Sequence, residues 1–317
     1  MHGTATVPPP DAPSDSPLDA PFLARAERFA AVGSTNDVVR GWLAEGVPEV
    51  CLAIADEQTA GRGRHGRTWT APAGAALLCS LGFRPTWLAP DRAWRLAAVV
   101  ALAMSDAAEE AAGLPEGAIR LKWPNDLVIE TAGPDALLMG ELDATVAAAR
   151  LAAPLEIRKL GGILGETDGL GTDDPRVVVG IGLNADWAAG DFPPALAASM
   201  TSLREATGGR PIDMVTLLDA FTNRLEARTE ALRAGYFDVA GWVGRQVTTG
   251  RLVQLAVAAA GAELAADDVP GVRALGVDAT TGALVVEDAG APGGERQVHA
   301  GEVARVRLAP DSAGSGV

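Results

Sequence analysis

The segment Gly61–Arg67, GRGRHGR, sets the tightest limit on how this chain folds. Three glycines in seven positions leave the backbone almost without fixed shape, because glycine accepts positive φ at no steric cost. Such a stretch continues neither a helix nor a sheet, so order has to come from its flanks. Both flanks supply it: EVCLAIADE (49–57) and AALLCSLGF (75–83) are apolar, strand-like runs. The expectation is a loop hung between two strands. Its three arginines stand in a chain with 26 Lys+Arg against 41 Asp+Glu, a net charge of -15. General attraction to nucleic acid or to an anionic membrane is therefore not expected, and this positive charge has to act locally.

Around the loop, helix-like and strand-like segments alternate. GSTNDVVRGWLAEG (33–46) offers Ser34 or Thr35 as an N-cap, sets Val38, Val39, Trp42 and Leu43 on one face, and stops at Gly46. A long alanine-rich helix is expected at about Asp91–Ala112. AIRLKWPNDLVIE (118–130) reads as two short strands around Pro124 and Asn125, and EIRKLGGILGETDG (156–169) and RVVVGIGLNADW (176–187) as neighbours in one mixed sheet. Between them, 131–154 is Ala/Leu-rich and bounded by prolines, consistent with either an inserted helix or a flap. Ile212–Arg233 carries Leu217, Leu218, Phe221 and Leu225 at core-facing helical spacing. Beyond a boundary near 236–243, short strand-like runs up to Leu308 predict a small SH3-like β-barrel.

The fold class expected is α/β (α+β). Residues 1–21 form a proline-rich tail, 22–240 a main domain with a mixed sheet, 241–309 the barrel, and 310–317 a second tail. The start of the chain lacks the basic and apolar regions of a signal peptide, and no run approaches the roughly 20 apolar residues of a membrane span. Cys51 and Cys79 both lie in apolar runs, which suits buried free thiols in a reducing cytosol. His2, His65 and His299 are scattered, so no metal site built from protein ligands is predicted.

Glycine amides and arginine guanidinium groups suit an anion, phosphate above all. The seven residues alone fit a solvated RG segment equally well. Gln58, before the loop, is an amide suited to a polar ligand, and Trp69, after it, an aromatic suited to stacking; a solvated glutamine and a core tryptophan are the plain alternatives. In KWPND (122–126), Pro124 pins the backbone from which Asn125 and Asp126 emerge, as it also does in many ordinary turns. RKLGGIL places Lys159 beside Gly161 and Gly162, and GIGLN ends on Asn184.

Taken in order, GSTN, QTAGRGRHGRTW, KWPND, KLGGIL and GIGLN closely resemble the biotin–protein ligase family, enzymes that attach biotin to carboxylase subunits. The resemblance covers about Phe29–Asn184 strongly and the terminal barrel weakly. It implies a class II aminoacyl-tRNA-synthetase-like catalytic domain followed by an SH3-like domain. The implied reaction joins biotin and ATP, with Mg²⁺, into biotinyl-5′-AMP, then biotinylates a lysine of biotin carboxyl carrier protein. By motif, Ser34, Thr35, Asn36, Gln58, Gly61, Arg62, Arg64, Lys159 and Gly162 would bind biotin. Arg64, Arg67, Trp69, Asn125 and Asn184 would bind ATP or the adenylate, and Lys159, Arg64 and Asp126 would be catalytic. The stretch between KWPND and KLGGIL is longer than the family's short hairpin. No winged helix is read before Arg28, so a cytoplasmic monomer or weak homodimer without DNA binding is expected. A lipoate–protein ligase, an RNA-binding module and a non-catalytic biotin binder are the alternatives.

Overall fold

The computed structural model describes residues 20–130, 156–257, 270–300 and 303–308. Nearly all of the expected N-terminal tail, the insertion after Glu130 and the C-terminal tail lie outside those residues.

Seven strands make the main sheet: β1 (Arg25–Val32), β2 (Cys51–Gln58), β3 (Ala76–Phe83), β4 (Ile119–Lys122), β5 (Asp126–Glu130), β6 (Ile157–Asp168) and β7 (Arg176–Asn184). They lie in the order β1-β2-β3-β7-β6-β5-β4. β1 and β2 run parallel and the other neighbours antiparallel, so the sheet is mixed as expected. β1 was not anticipated; RAERFAAV alternates poorly, and its pairing with β2 at the sheet edge is what makes it a strand.

Alternation along the strands sorts side chains to two covers. In β2, Cys51, Ala53 and Ala55 pack with Val39, Trp42 and Leu43 of helix α1 (Thr35–Ala44). On the opposite face, Leu52 and Ile54 pack with Leu96, Val99 and Ala103 of helix α2 (Trp94–Ala112). The helix expected from Asp91 begins three residues later, because Pro90–Arg92 form a 3-10 turn first. It ends at Gly113 in the left-handed conformation at φ 60. After β7 come two one-turn helices, α3 (Pro194–Ala197) and α4 (Leu203–Ala206), then α5 (Met214–Arg233) and α6 (Val239–Gly244). Asp213 caps α5 by accepting from Val215 and Thr216 N–H, while Leu217, Phe221 and Leu225 join the α2 side of the core.

Both cysteines are buried and free. Burial pushes the Cys51 thiol up to about 11 and that of Cys79 up to about 12, so neither ionises near neutrality.

Five further strands, β8 (Leu252–Val257), β9 (Gly271–Val277), β10 (Leu284–Glu287), β11 (Glu295–Val298) and β12 (Val303–Leu308), form an antiparallel sheet in the order β11-β10-β9-β8-β12. β11, ERQV, is too polar to have been read as a strand. The two sheets are tied together through KWPND. Trp123 is buried among Val253, Leu284 and Val286 of the small sheet, and its indole N–H donates to the Gly282 carbonyl at 3.0 Å. Arg245, whose carbonyl accepts from Leu121 N–H at 2.8 Å, is buried against Glu109 and Asp106 of α2, at 2.6 and 2.7 Å.

Candidate functional site

On the α1 side of the main sheet lies a cavity of about 650 Å³, within the range of small-molecule sites. Its floor comes from strand register: Gly180 and Gly182 of β7 line it, and Gly162 of β6 and Asp126 of β5 stand in line with Gly182. Two glycines of that floor are required by close approach. A Cβ at Gly182 would lie 2.5 Å from the Trp69 ring, and one at Gly180 would lie 2.2 Å from Asn36 Oδ1. Both occupy positions in β7 whose alternates, Val179, Ile181 and Leu183, fill the α2 core. That alternation was legible in the sequence, although only Asn184 was assigned from GIGLN. Gly182→Ala should destabilise the protein by about 1–3 kcal/mol, since ring or strand has to move. A urea transition coincident with the parent's would refute the close packing.

The neutral end of the cavity is built at the start of α1. Ser34 occupies the N-cap position, but its side chain makes no capping bond and lines the cavity. Gln58 Oε1 accepts from Thr35 N–H at 2.8 Å and from the Thr35 hydroxyl at 3.0 Å, which leaves its amide NH₂ as the group for a ligand acceptor. Thr35 and Ser80 hydroxyls stand 2.7 Å apart, Ser80 donates to Asn36 Oδ1 at 2.6 Å, and Asn36 Nδ2 donates to Glu166 at 2.9 Å.

The charged end contains the Gly/Arg segment. It is folded as a compact hairpin: Gly63 N–H donates to Arg67 O at 2.7 Å, and Trp69 N–H to Gly61 O at 2.9 Å. The left-handed residues are His65 (φ 55) and Gly66 (φ 72), not Gly61 or Gly63. Arg64 Nη1 reaches Asn125 Oδ1 at 3.5 Å, and Nη2 donates to the Ala300 carbonyl in the small sheet's last loop. Burial holds the Arg64 guanidinium below its usual range, with Asp126 opposing and Arg67 adding to the effect. A desolvated cation of this kind favours an arriving anion.

Facing Arg64, Lys159 Nζ donates to Asp126 Oδ1 at 2.6 Å and stands 5.4 Å from the Trp69 ring centroid. Lys122 Nζ lies 3.8 Å from the other Asp126 oxygen. The Trp69 indole nitrogen is buried with no hydrogen-bond partner. Asn125 ties the turn to β6, donating to the Ile163 carbonyl at 2.8 Å and accepting from Ile163 N–H at 2.9 Å through its own carbonyl.

The structure thus brings Ser34, Thr35, Asn36, Gln58, Arg62, Arg64, Arg67, Trp69, Asn125, Asp126, Lys159 and Gly162 to one cavity. Two predicted residues do not line it. Gly61 sits beneath the hairpin, where a Cβ would meet the Trp69 carbonyl at 2.4 Å. Asn184 is buried behind the wall, donating to the Thr201 carbonyl at 3.0 Å with Oδ1 unpartnered. Leu196, Ser199 and Met200, at and after α3, also line the cavity and were missed, since PPALAASM carries no chemical motif. They arrive because Lys159 N–H donates to Ser199 O, and Thr201 N–H to Lys159 O, both at 2.8 Å.

Comparison with known proteins shows what the chain is similar to. Residues 29–184 match the Biotin/lipoate A/B protein ligase family. A bifunctional ligase/repressor BirA of Bacillus subtilis is 30% identical over 177 residues, 56% of this chain and 45% of that protein. A biotin–[acetyl-CoA-carboxylase] ligase of Mycobacterium tuberculosis is 33% identical over 201 residues, 63% of this chain and 62% of that protein. The chain therefore spans about half the length of the curated relatives it matches. Biotin protein ligase from Aquifex aeolicus, solved in complex with biotin and ATP, superposes with a TM-score of 0.65 at 22% identity, covering 90% of this chain and 99% of that one. That likeness establishes the fold. The likeness to the Biotin/lipoate A/B protein ligase family is thus carried by residues 29–184, the segment that holds most of the cavity's polar side chains.

Proposed function

We propose that this protein is a biotin–protein ligase, which makes biotinyl-5′-AMP from biotin and ATP and then biotinylates a lysine of a biotin carboxyl carrier protein. The observation that carries the reading is the pairing of a neutral amide-and-hydroxyl end, Ser34, Thr35 and Gln58, with a cationic end, Arg64 and Lys159, in one cavity. Biotin has the same polarity, a neutral hydrogen-bonding head and a carboxylate tail. The names of the Mycobacterium relative and of the Aquifex complex support the same substrates.

In the first step a biotin carboxylate oxygen attacks the α-phosphorus, the C–O–P bond forms, and the bond to the β-phosphate bridging oxygen breaks to release pyrophosphate. Two anions have to approach, so Lys159, Arg64 and Arg67 act by offsetting their repulsion and the charge that develops on the α-phosphoryl oxygens. Asp126 aims the Lys159 ammonium, and Asn125 holds Arg64 over the centre. Trp69 offers a face for the adenine or for the biotin chain, and Gly162 lets the ligand approach the backbone. In the second step the acceptor amine attacks the acyl carbon, AMP leaves, and the nitrogen loses a proton. The hairpin shields the mixed anhydride from water meanwhile.

Mg²⁺, when bound, neutralises charge on the triphosphate. Among the described residues no three His, Cys, Asp or Glu cluster as a cage. Such an ion would be held chiefly by phosphate oxygens and water.

We read residues 22–240 as the catalytic domain, its mixed sheet as class II synthetase-like, and 241–309 as SH3-like, supported by the two separate sheets. The buried free thiols support a reducing, cytoplasmic setting.

Incubation with biotin, MgATP and a purified carboxyl carrier domain, followed by intact mass measurement, should show one biotin added to one lysine. Transfer of lipoate to a lipoyl domain in place of biotin would replace this reading, and transfer of neither would end it.

A further inference from the structure

The motifs account for Arg64 and Lys159 but leave unexplained how the hairpin is anchored. Arg62 binds Asp37 of α1 in a fork, Nη1 to Oδ2 at 2.6 Å and Nη2 to Oδ1 at 2.7 Å. Asp37 Oδ1 also accepts from Arg40 Nη1 at 2.6 Å, and Arg40 Nη2 reaches Glu166 Oε2 at 2.5 Å. Glu166 Oε1 in turn lies 3.8 Å from Arg62, closing a ring of two arginines and two carboxylates. Hydrogen bonding to Arg62 is the chief cause that holds the Asp37 carboxyl below its usual range, with Arg40 contributing. Neither Asp37 nor Glu166 lines the cavity, whereas Arg62 does.

This ring is continuous with the neutral end of the site. Glu166 Oε2 accepts from Asn36, Asn36 accepts from Ser80, and Ser80 adjoins Thr35, which holds Gln58. One hydrogen-bonded chain thereby runs from the head-group pocket to the loop arginine.

We propose that Asp37 is a positioning residue for the ligase reaction: with Arg40 and Glu166 behind it, its carboxylate pins the Arg62 arm of the hairpin to α1. Arg64 stands two residues beyond that anchor, in the turn Arg64–Gly66 at the tip of the hairpin. The inference rests on the ligase reading for its kinetic consequence and on geometry alone for its mechanical one.

Both are measured, with Asp37→Asn and Asp37→Glu. The ion pair is partly exposed, so Asp37→Asn should raise the KM for biotin by about threefold to tenfold, with kcat within about twofold of the parent. Asp37→Glu should recover most of the loss. The decisive comparison is the Arg62→Ala background, where Asp37→Asn should change the biotin KM no further, because its partner is gone. Ligand-free Asp37→Asn should also be nicked by trypsin after Arg62 several times faster than the parent, with an unchanged thermal midpoint. Failure of the parent to form adenylate would remove the ligase reading, and the trypsin comparison would still decide the latch. Equal nicking of parent and Asp37→Asn overturns the proposal. So does a KM effect of the same size with Arg62 present or absent.

Discussion

Replacing Lys159 with alanine should slow biotinyl-adenylate formation and overall transfer by the same factor, about 10²–10³, the range for removing one preorganised donor to a developing oxyanion. Lys159 Nζ is fixed by Asp126 at 2.6 Å and shares the cavity with the loop arginines, so under the proposed ligase reaction its charge is in place before ATP is attacked. A group that acts on charge developing in the transition state lowers kcat when it is lost. Biotin affinity without ATP should fall less. Asp126→Asn keeps the lysine but loosens its aim, and should give a smaller loss in the same step. Single-turnover formation of labelled adenylate is the measurement, and formation by Lys159→Ala at the parent rate would remove the role assigned to it.

The largest effect on stability is expected outside the cavity lining, at Arg245. Its guanidinium donates to Glu109 at 2.6 and 2.9 Å, to Asp106 at 2.7 Å and to the Ile119 carbonyl at 2.6 Å. The Arg245 side chain is only 10% exposed and that of Glu109 5%. Arg245→Ala should therefore cost about 3–5 kcal/mol, chiefly because it strands the Glu109 carboxylate in the core. Asp106 suffers less, since Arg228 holds it at 2.6 Å. A second substitution separates charge from packing. Glu109→Gln in an Arg245→Met protein removes the stranded charge yet keeps an acceptor for Ile119 N–H, now at 2.8 Å, and should restore part of the loss. Urea unfolding of the single and double variants measures both. If the double variant is the less stable, the buried charge is not the cause.

The arrangement at Arg245 shows one boundary of what the sequence conveys. Nothing near WVGRQV marks its arginine as buried, and Glu109 sits in an alanine-rich helix where a solvated face is the ordinary expectation. Their partnership spans more than a hundred residues and exists only after α2 and α6 have docked. β1, an edge strand with weak alternation, and β11, which is almost wholly polar, depend on their neighbours in the same way. By contrast α1, α2 and α5 were legible to within a few residues, because helical spacing of apolar side chains and local caps specify them without the rest of the fold.

The same division runs through the candidate site. Chemistry was readable along the chain, because the Gly/Arg hairpin, KWPND and KLGGIL are local strings whose residue types already state a need for anions, a rigid turn and a close approach. Tertiary structure decided which of their side chains share a face. Lys159 and Gly162 are three residues apart in β6, a spacing that in a regular strand points them to opposite sides. A register shift between Leu127 and Val128, which pair with Gly161 and Lys159, leaves Leu160 over as an extra residue. Leu160 turns into the α2 core while Lys159 and Gly162 both line the cavity. Period-two alternation is a property of the chain, but a bulge belongs to a pair of strands, and only their pairing could bring the lysine to Asp126.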